Sequence, residues 1–166
     1  MEAYLKSILS AQFEAALAML HDCVTNCPPE HWGGKIANYP FWQVAYHTLS
    51  YTDLYLSQSE EAFQPRSFHP AQAPGALFDD EPVRPQGFTQ DEILDYLAVC
   101  RQKAVDALAA ETGGSLQRPC AFRRRAFSRG ELYIYNLRHV QHHAGQLSAY
   151  LRRLGVDSRW VGSGWK

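Results

Sequence analysis

The sequence predicts an all-α fold, a four-helix bundle with a long crossover connection between the second and third helices. Four long segments repeat apolar residues at intervals of three and four, which is the period of an amphipathic helix. No two segments show the apolar and polar alternation of a convincing pair of strands. A stretch rich in proline and glycine, 60–88, separates the second helical segment from the third and is long enough to cross a bundle.

A single domain covering residues 1–166 is expected from the length of the chain, and 46% hydrophobic residues are enough to build a sizeable core. The 16 basic and 17 acidic side chains give a formal net charge of −1, so no general field attracts nucleic acid or an anionic membrane. No apolar run approaches the ~18 residues of a membrane span, and the start of the chain lacks the pattern of a signal peptide. We therefore expect a soluble, cytoplasmic protein with no nucleic-acid or membrane partner.

The first helix is predicted over residues 2–25 and ends before the pair Pro28–Pro29, which cannot continue it. One face carries small and apolar side chains at helical spacing: Tyr4, Ile8, Ala11, Ala15, Ala18 and Met19.

The four cysteines are too few for a disulfide scaffold in a chain of this length, which indicates free thiols in a reducing compartment. Cys23 and Cys27 share a helical face and are one turn apart, a spacing that could bind a metal. Cys100 and Cys120 are too far apart in the sequence to form a second pair at zinc-finger spacing. Ordinary thiols are therefore favoured over a cysteine metal site.

The second helix is predicted over about 40–59, with Pro40 at its opening because the missing N–H of proline costs nothing there. Its inward stripe follows the offsets 3, 4 and 3 along Val44, His47, Tyr51 and Leu54. His47 is the only histidine of this helix, and the stripe directs it toward the core. The connection 60–88 follows, and a connection of such length is usually a functional or covering segment.

The third helix is predicted over about 90–111, with Thr89 and Glu92 as a capping box at its start and Gly113–Gly114 as its stop. The basic run Arg123–Arg125 comes after it, between two phenylalanines. Two interpretations of this run stay open. It is either a clamp for an anionic group of a substrate or thiol cofactor, or a solvated basic loop, which is the commoner case.

The fourth helix is predicted along 132–154, and Ser128 is placed to cap it. His142 lies on a polar stripe between Arg138 and Gln146, so we expect it to face outward. The inward stripe is apolar apart from one amide, one phenol and two imidazoles: Leu132, Asn136, His139, His143, Leu147, Tyr150, Leu151 and Leu154.

The inward histidines predict a metal site. His139 and His143 are one helical turn apart, so their ring nitrogens can reach the same ion. His47 is a third inward histidine, supplied by another helix. A single buried histidine is more often an ordinary core residue, but three together match the ligand count of a catalytic zinc-type site, which leaves positions open for water or substrate.

Two stretches around these histidines carry a family resemblance. PFWQVAYHTL at 40–49 contains His47, and RHVQHHAGQL at 138–147 contains His139 and His143. Together with the helix order, the long second connection and the closing DSRWV at 157–161, they resemble the DinB/YfiT superfamily of metal-dependent proteins. The resemblance covers most of the chain. It implies a four-helix bundle with a long crossover, a divalent ion such as nickel or zinc on the three histidines, and often a homodimer.

What the resemblance implies about chemistry is looser. Some members of the superfamily resemble transferases or isomerases that use a low-molecular-weight thiol such as bacillithiol or mycothiol. We expect a metal-dependent enzyme of this thiol-dependent transferase type, acting on a small-molecule substrate, in which the ion lowers the pKa of a thiol or water. The catalytic residues cannot be named from the sequence.

Two alternatives to this function stay open. One is a non-catalytic helical bundle with a structural metal or a protein-partner role. The other is a metal-dependent hydrolase, which is less favoured because no Asp or Glu shares the inward stripes with the histidines to act as a base.

Three polar residues close to the histidines in sequence could orient them, and the sequence does not rank these candidates: Gln43, Asn136 and Gln146. An ion held by only three protein ligands should also be open to solvent. We expect it to be reached through a pocket bordered by the 60–88 connection.

Aromatic side chains on the predicted helical faces exceed what one bundle core readily hides, which predicts a homodimer. These side chains are Trp42, Tyr46, Tyr55, Tyr133 and Tyr150.

Overall fold

The computed structural model describes residues 2–65, 86–123 and 125–165, and this part of the chain is mostly helical. The small sheet between the first two helices pairs Lys35 with Pro40 and Ile36 with Tyr39. The elements in chain order are α1 (Glu2–Asn26), a 3₁₀ helix (Pro29–His31), β1 (Lys35–Ile36), β2 (Tyr39–Pro40), α2 (Phe41–Leu56), α3 (Gln90–Ala110), α4 (Gly113–Gln117) and α5 (Arg129–Arg153). The predicted all-α bundle is confirmed, with α5 as the fourth long helix.

The helices pack so that α1 and α2 each contact both α3 and α5. α2 runs antiparallel to α5: His47, near the start of α2, lies beside His143 in the middle of α5, whereas Tyr55, near the end of α2, lies beside Tyr135 near the start of α5. The two helices that carry the inward histidines are therefore direct neighbours over most of the length of α2.

α2 runs parallel to α3, which explains the long connection between them. Tyr46 packs against Tyr96, and further along both helices Asp53 pairs with Lys103. The end of α2 and the start of α3 therefore lie at opposite ends of the bundle, so the chain has to cross its length between them. Most of the predicted 60–88 connection lies outside the described residues.

The predicted caps of the third and fourth helices are confirmed, and the second helix is shorter than predicted. The Thr89 side chain accepts from the Glu92 N–H, and the Glu92 carboxylate accepts from the Thr89 N–H at 2.8 Å, as a capping box requires. Ser128 caps α5 by accepting from the Glu131 N–H. The glycines at 113 and 114 begin the short helix α4, because Thr112 accepts from the Ser115 N–H and caps a new helix there. α2 ends at Leu56, three residues before the predicted end, because Ser57 turns to an extended conformation.

A buried arginine ties the end of α2 to the start of α5. Arg129 donates from Nη1 to the carbonyls of Tyr55 (3.1 Å) and Ser57 (2.7 Å), and from Nη2 to that of Leu56 (3.2 Å). These are carbonyls that the last turn of a helix leaves without intrahelical partners. Glu111 balances the charge, since its Oε1 accepts from Arg129 Nε at 2.9 Å. This network fixes the register of the two histidine-bearing helices at one end of the bundle.

The aromatic side chains that suggested an interface are mostly hidden inside one chain, so that argument for a homodimer is wrong. Trp42, Tyr46, Tyr55 and Tyr133 are between 1% and 8% exposed, and only Tyr150 is half-buried. Aromatic partners within the bundle make this possible; the ring of Tyr46, for example, stacks on Phe88 with 4.4 Å between centroids. The homodimer itself stays a prediction. None of the described helices is both long and apolar enough to cross a membrane.

Candidate metal centre

The three predicted histidines converge where α2 and α5 face each other. Each of them offers a ring nitrogen to a group in which all ligand atoms lie within 4.8 Å of one another. The Nε2 atoms of His47 and His139 are 3.1 Å apart. The ring of His143 completes the trio, with its centroid 4.8 Å from that of His47 and 4.6 Å from that of His139. The residues that periodicity selected from two distant parts of the sequence are thus neighbours in space.

The spacing of the trio fits a transition-metal ion. Two nitrogens that bind one ion at 2.0–2.1 Å are about 2.9 to 3.4 Å apart, and the two Nε2 atoms of His47 and His139 fall in this range. The ligand group found among the described residues consists of imidazoles alone, with neither a carboxylate nor a thiolate. Imidazole ligands suit zinc and nickel, whereas Mg²⁺ and Ca²⁺ prefer oxygen ligands.

Gln146, a candidate orienting residue, contacts a histidine of the trio. Nδ1–H of His143 donates to Oε1 of Gln146 at 2.8 Å, which leaves Nε2 of the same ring with its lone pair for a metal. Asn136 instead donates to the backbone carbonyl of Thr52 at 3.2 Å and ties α5 to α2. Gln43 is buried in the first turn of α2.

Burial keeps the trio uncharged. It lowers the pKa of His47 to about 2 and that of His139 to about 3, and the neighbouring histidines add to both shifts. Burial also lowers the pKa of His143; the bond to Gln146 opposes this shift and His142 adds to it. The three imidazoles are therefore neutral near pH 7, which is the form that binds a metal.

The comparison with known families agrees with this site. A family model of the DinB superfamily matches residues 12–147, a range that includes all three histidines. The chain belongs to the DinB superfamily. No curated protein and no solved structure matches it significantly.

The other candidates named from the sequence lie outside the trio of this DinB-superfamily protein. His142 is exposed on the outer face of α5, as predicted. All four cysteines are buried thiols that form no disulfide, and burial raises the pKa of Cys23 to about 12 and that of Cys27 to about 11. These two thiols stay protonated near neutral pH, and that they are not metal ligands stays a prediction.

A large pocket does border the connection after α2, but it does not open onto the histidines. It has a volume of about 780 Å³, and Asp53 and Lys103 are part of its wall, as are Gln64 and Pro65 from the connection. None of the three histidines lines it. Most of the 60–88 connection that was expected to border the approach to the ion lies outside the described residues.

Sequence reasoning missed a row of aromatic side chains that continues from the trio. Tyr51, one turn after His47, has its ring centroid 4.6 Å from that of His47 and 5.6 Å from that of His139. Tyr55 follows one turn later, and its ring packs against that of Tyr135 in α5 with 5.4 Å between the ring centroids. The four-residue spacing of these residues with the histidines was visible in the sequence, but the pairing of α2 with α5 was not.

Of the two interpretations of the basic run 123–125, the solvated loop fits one described arginine but not the other. Arg123 is exposed, as a solvated loop predicts. Arg125 is half-buried, and its Nη2 donates to the hydroxyls of Tyr55 (3.0 Å) and Tyr135 (3.2 Å) at the end of the aromatic row. Arg124 lies outside the described residues.

Proposed function

We propose that this DinB-superfamily protein is a metal-dependent enzyme of the thiol-dependent transferase type that acts on a small molecule. The proposal is supported above all by the convergence of three neutral imidazoles, His47, His139 and His143, from two helices. They would hold one divalent ion, with nickel or zinc as the metals that an all-imidazole site suits best.

The bound ion would supply Lewis acidity, which lowers the pKa of a thiol so that a thiolate exists near neutral pH. The protein itself sets the positions and the protonation states of the three imidazoles. Burial keeps His47 and His139 unprotonated, and Gln146 accepts from Nδ1–H of His143, which leaves Nε2 of that ring with its lone pair. Three protein ligands leave room for a molecule from solvent.

The composition of the site favours a thiol reaction over hydrolysis. A hydrolase of the His-Glu-x-x-His type has a carboxylate base beside its ion, whereas the ligand group of the described residues contains only imidazoles. A thiol bound to the ion loses its proton because of the ion's charge, so it needs no such base. A structural metal site, the other alternative, normally fills every position with protein ligands.

Cobalt(II) in place of the native ion tests this function. Addition of the small thiol 2-mercaptoethanol to cobalt-loaded protein should produce a sulfur-to-cobalt charge-transfer band. His139→Ala should lack the band because it has lost a ligand, whereas His142→Ala, altered at an exposed neighbour, should keep it. A cobalt spectrum that does not change at saturating thiol would refute the thiol-dependent hypothesis. The structural metal site would then be the favoured alternative.

We also propose that the protein is a homodimer. Two observations support a dimer. One is the resemblance to the superfamily, and the other is a group of exposed apolar side chains in the first two turns of α1, namely Tyr4, Leu5 and Ile8. Sedimentation at tens of micromolar should give a dimer, and a monomer at that concentration would rule the proposal out.

A further inference from the structure

Asn136 is a polar side chain in the core of the bundle, on the inward stripe of α5 one turn before His139. It is 0% exposed. Its Nδ2 donates to the backbone carbonyl of Thr52 in α2 at 3.2 Å, whereas its Oδ1 is buried and has no hydrogen-bond partner among the described residues. Buried amide oxygens are nearly always hydrogen-bonded, because leaving one without a partner destabilises the fold. The unused oxygen of Asn136 therefore indicates a role beyond the bond to Thr52.

His139 has a buried ring nitrogen in the same situation. Its Nε2 faces the trio, 3.1 Å from Nε2 of His47. Its Nδ1, on the other side of the ring, is buried and lacks a hydrogen-bond partner in the part of the chain that the structure describes. A neutral imidazole carries one proton, so when Nε2 binds an ion the proton is on Nδ1. Metal binding thus gives His139 a buried N–H donor that needs an acceptor.

Helix geometry brings the acceptor of Asn136 and the donor of His139 to neighbouring positions. Residues three apart on an α-helix are neighbours on its surface, with Cβ atoms about 5–6 Å apart. Side chains of a helix lean toward its N-terminus, so the ring of His139 leans over the turn that contains Asn136. Because Nδ2 bonds to Thr52, Oδ1 is the atom of the amide that remains for a donor on α5.

The tautomer of His139 decides whether this hydrogen bond can form. The Nε2 atoms of His47 and His139 are 3.1 Å apart, and a hydrogen bond between them needs a proton on one of the two. When that proton belongs to His139, its Nδ1 is an acceptor and cannot bond to Oδ1 of Asn136. When both Nε2 atoms bind an ion instead, each ring carries its proton on Nδ1. Nδ1–H of His139 can then donate to Oδ1 after a rotation of the ring or of the amide.

Gln146 already makes such a contact on the same helix. Its Oε1 accepts from Nδ1–H of His143 at 2.8 Å. An acceptor on this nitrogen fixes the tautomer and the orientation of a ligating histidine and makes the ring a stronger ligand. Gln146 follows its histidine by three residues, and Asn136 precedes its own by three. The helix α5 therefore carries an amide oxygen within one turn of each of its two candidate ligands.

We propose that Asn136 is a positioning residue of the metal centre, whose Oδ1 accepts from Nδ1–H of His139 when the trio holds an ion. Its Nδ2 keeps the bond to Thr52, so one amide connects the His139 ring to the backbone of α2, the helix that supplies His47. The proposal rests on the metal-binding part of the proposed function and is independent of the reaction.

Two substitutions separate the acceptor Oδ1 from the bond to Thr52. Asn136→Leu has nearly the shape of asparagine but neither polar atom, and it should weaken zinc binding about 10- to 100-fold. Asn136→Asp keeps an acceptor but, as a carboxylate, loses the donor to Thr52. It should bind zinc at least as tightly as wild type, because a carboxylate is the stronger acceptor for Nδ1–H. Competition with a chelator of known affinity gives the dissociation constants, and circular dichroism checks that each variant is folded.

Thr52→Val is the matched control, since it changes a buried polar side chain at the same contact but keeps the backbone carbonyl that Asn136 bonds. Its affinity for zinc should equal that of wild type. A role limited to connecting α5 with α2 predicts that Asn136→Asp and Asn136→Leu lose the same affinity. Equal weakening in the two folded variants would overturn the proposal, and so would wild-type affinity in Asn136→Leu. Wild type that binds no zinc would refute the proposed function as well, which distinguishes the two failures.

The zinc-loaded wild type provides a test that needs no variant. Its crystal structure should show Oδ1 of Asn136 within about 2.7 to 3.2 Å of Nδ1 of His139. An Nδ1–H that bonds to any other acceptor, water included, or to none would overturn the proposal.

Discussion

Nδ1 of His143 donates to the side-chain oxygen of Gln146 across 2.8 Å, within one turn of α5. The bond holds the imidazole in the tautomer whose Nε2 is free to bind a metal, and it fixes the orientation of the ring. Gln146 is exposed, so the contact is a local addition to the site rather than part of the bundle core.

Gln146→Ala should weaken metal binding about 10- to 100-fold with little effect on folding, because the ring of His143 loses its anchor and its fixed tautomer. Gln141→Ala is the matched control, since Gln141 lies on the same helix and its side chain contacts Met19. Competition with a chelator of known affinity gives the dissociation constants. A Gln146→Ala variant that holds metal as tightly as Gln141→Ala would show that the hydrogen bond does not support the site.

Local rules were enough to find the trio but not its surroundings. Periodicity indicates which face of its own helix a residue occupies, and this placed His47, His139 and His143 inward. Periodicity does not indicate which helices are neighbours or how they are aligned. Arg125 contacts Tyr55, which is 70 residues away in the sequence, and only the antiparallel packing of α2 on α5 brings the two together.

The same limit applies to the fold. The capping box at Thr89 is a local feature, and it was predicted correctly. The glycine pair at 113 and 114 predicts a stop for the third helix, which does end at Ala110, but the cap that Thr112 provides makes these glycines the start of α4. The number of aromatic residues on the helices predicts that some are exposed, whereas Trp42, Tyr46, Tyr55 and Tyr133 are buried. The number of rings in a sequence does not show which partners bury them.

The stability of the metal-free protein should fall as the pH is lowered from about 6.5. Since the pKa values of His47 and His139 are depressed in the folded state, these groups bind fewer protons there than in the unfolded chain. Stability is therefore fully present above the unfolded pKa of 6.5 and is lost as the pH falls toward the folded values. The expected loss is about 2 kcal/mol for each histidine between pH 7 and pH 5.

Urea denaturation at several pH values, with a chelator present, measures this dependence. His139→Gln removes one titrating group and should show a shallower loss than wild type. His142→Asn changes an exposed histidine and should follow the wild-type curve. Parallel curves for wild type and His139→Gln would mean that His139 does not contribute to the acid sensitivity.

Arg129→Met should lower the free energy of unfolding by about 3 to 5 kcal/mol, because it leaves Glu111 buried without its charge partner and removes the donors to the last carbonyls of α2. Arg118→Met, at an exposed arginine, should change stability little. Chemical denaturation of the metal-free variants provides the comparison. A loss of less than 1 kcal/mol in Arg129→Met would show that the network is not what holds α2 against α5.

The metal content of the purified protein tests the histidine trio most directly. After reconstitution with zinc or nickel and removal of excess ion, elemental analysis should find about one ion per chain in wild type and in the exposed-site control His142→Ala. His143→Ala should retain far less, since it keeps only two of the three ligands. Equal metal content in wild type and His143→Ala would contradict a site built on His47, His139 and His143.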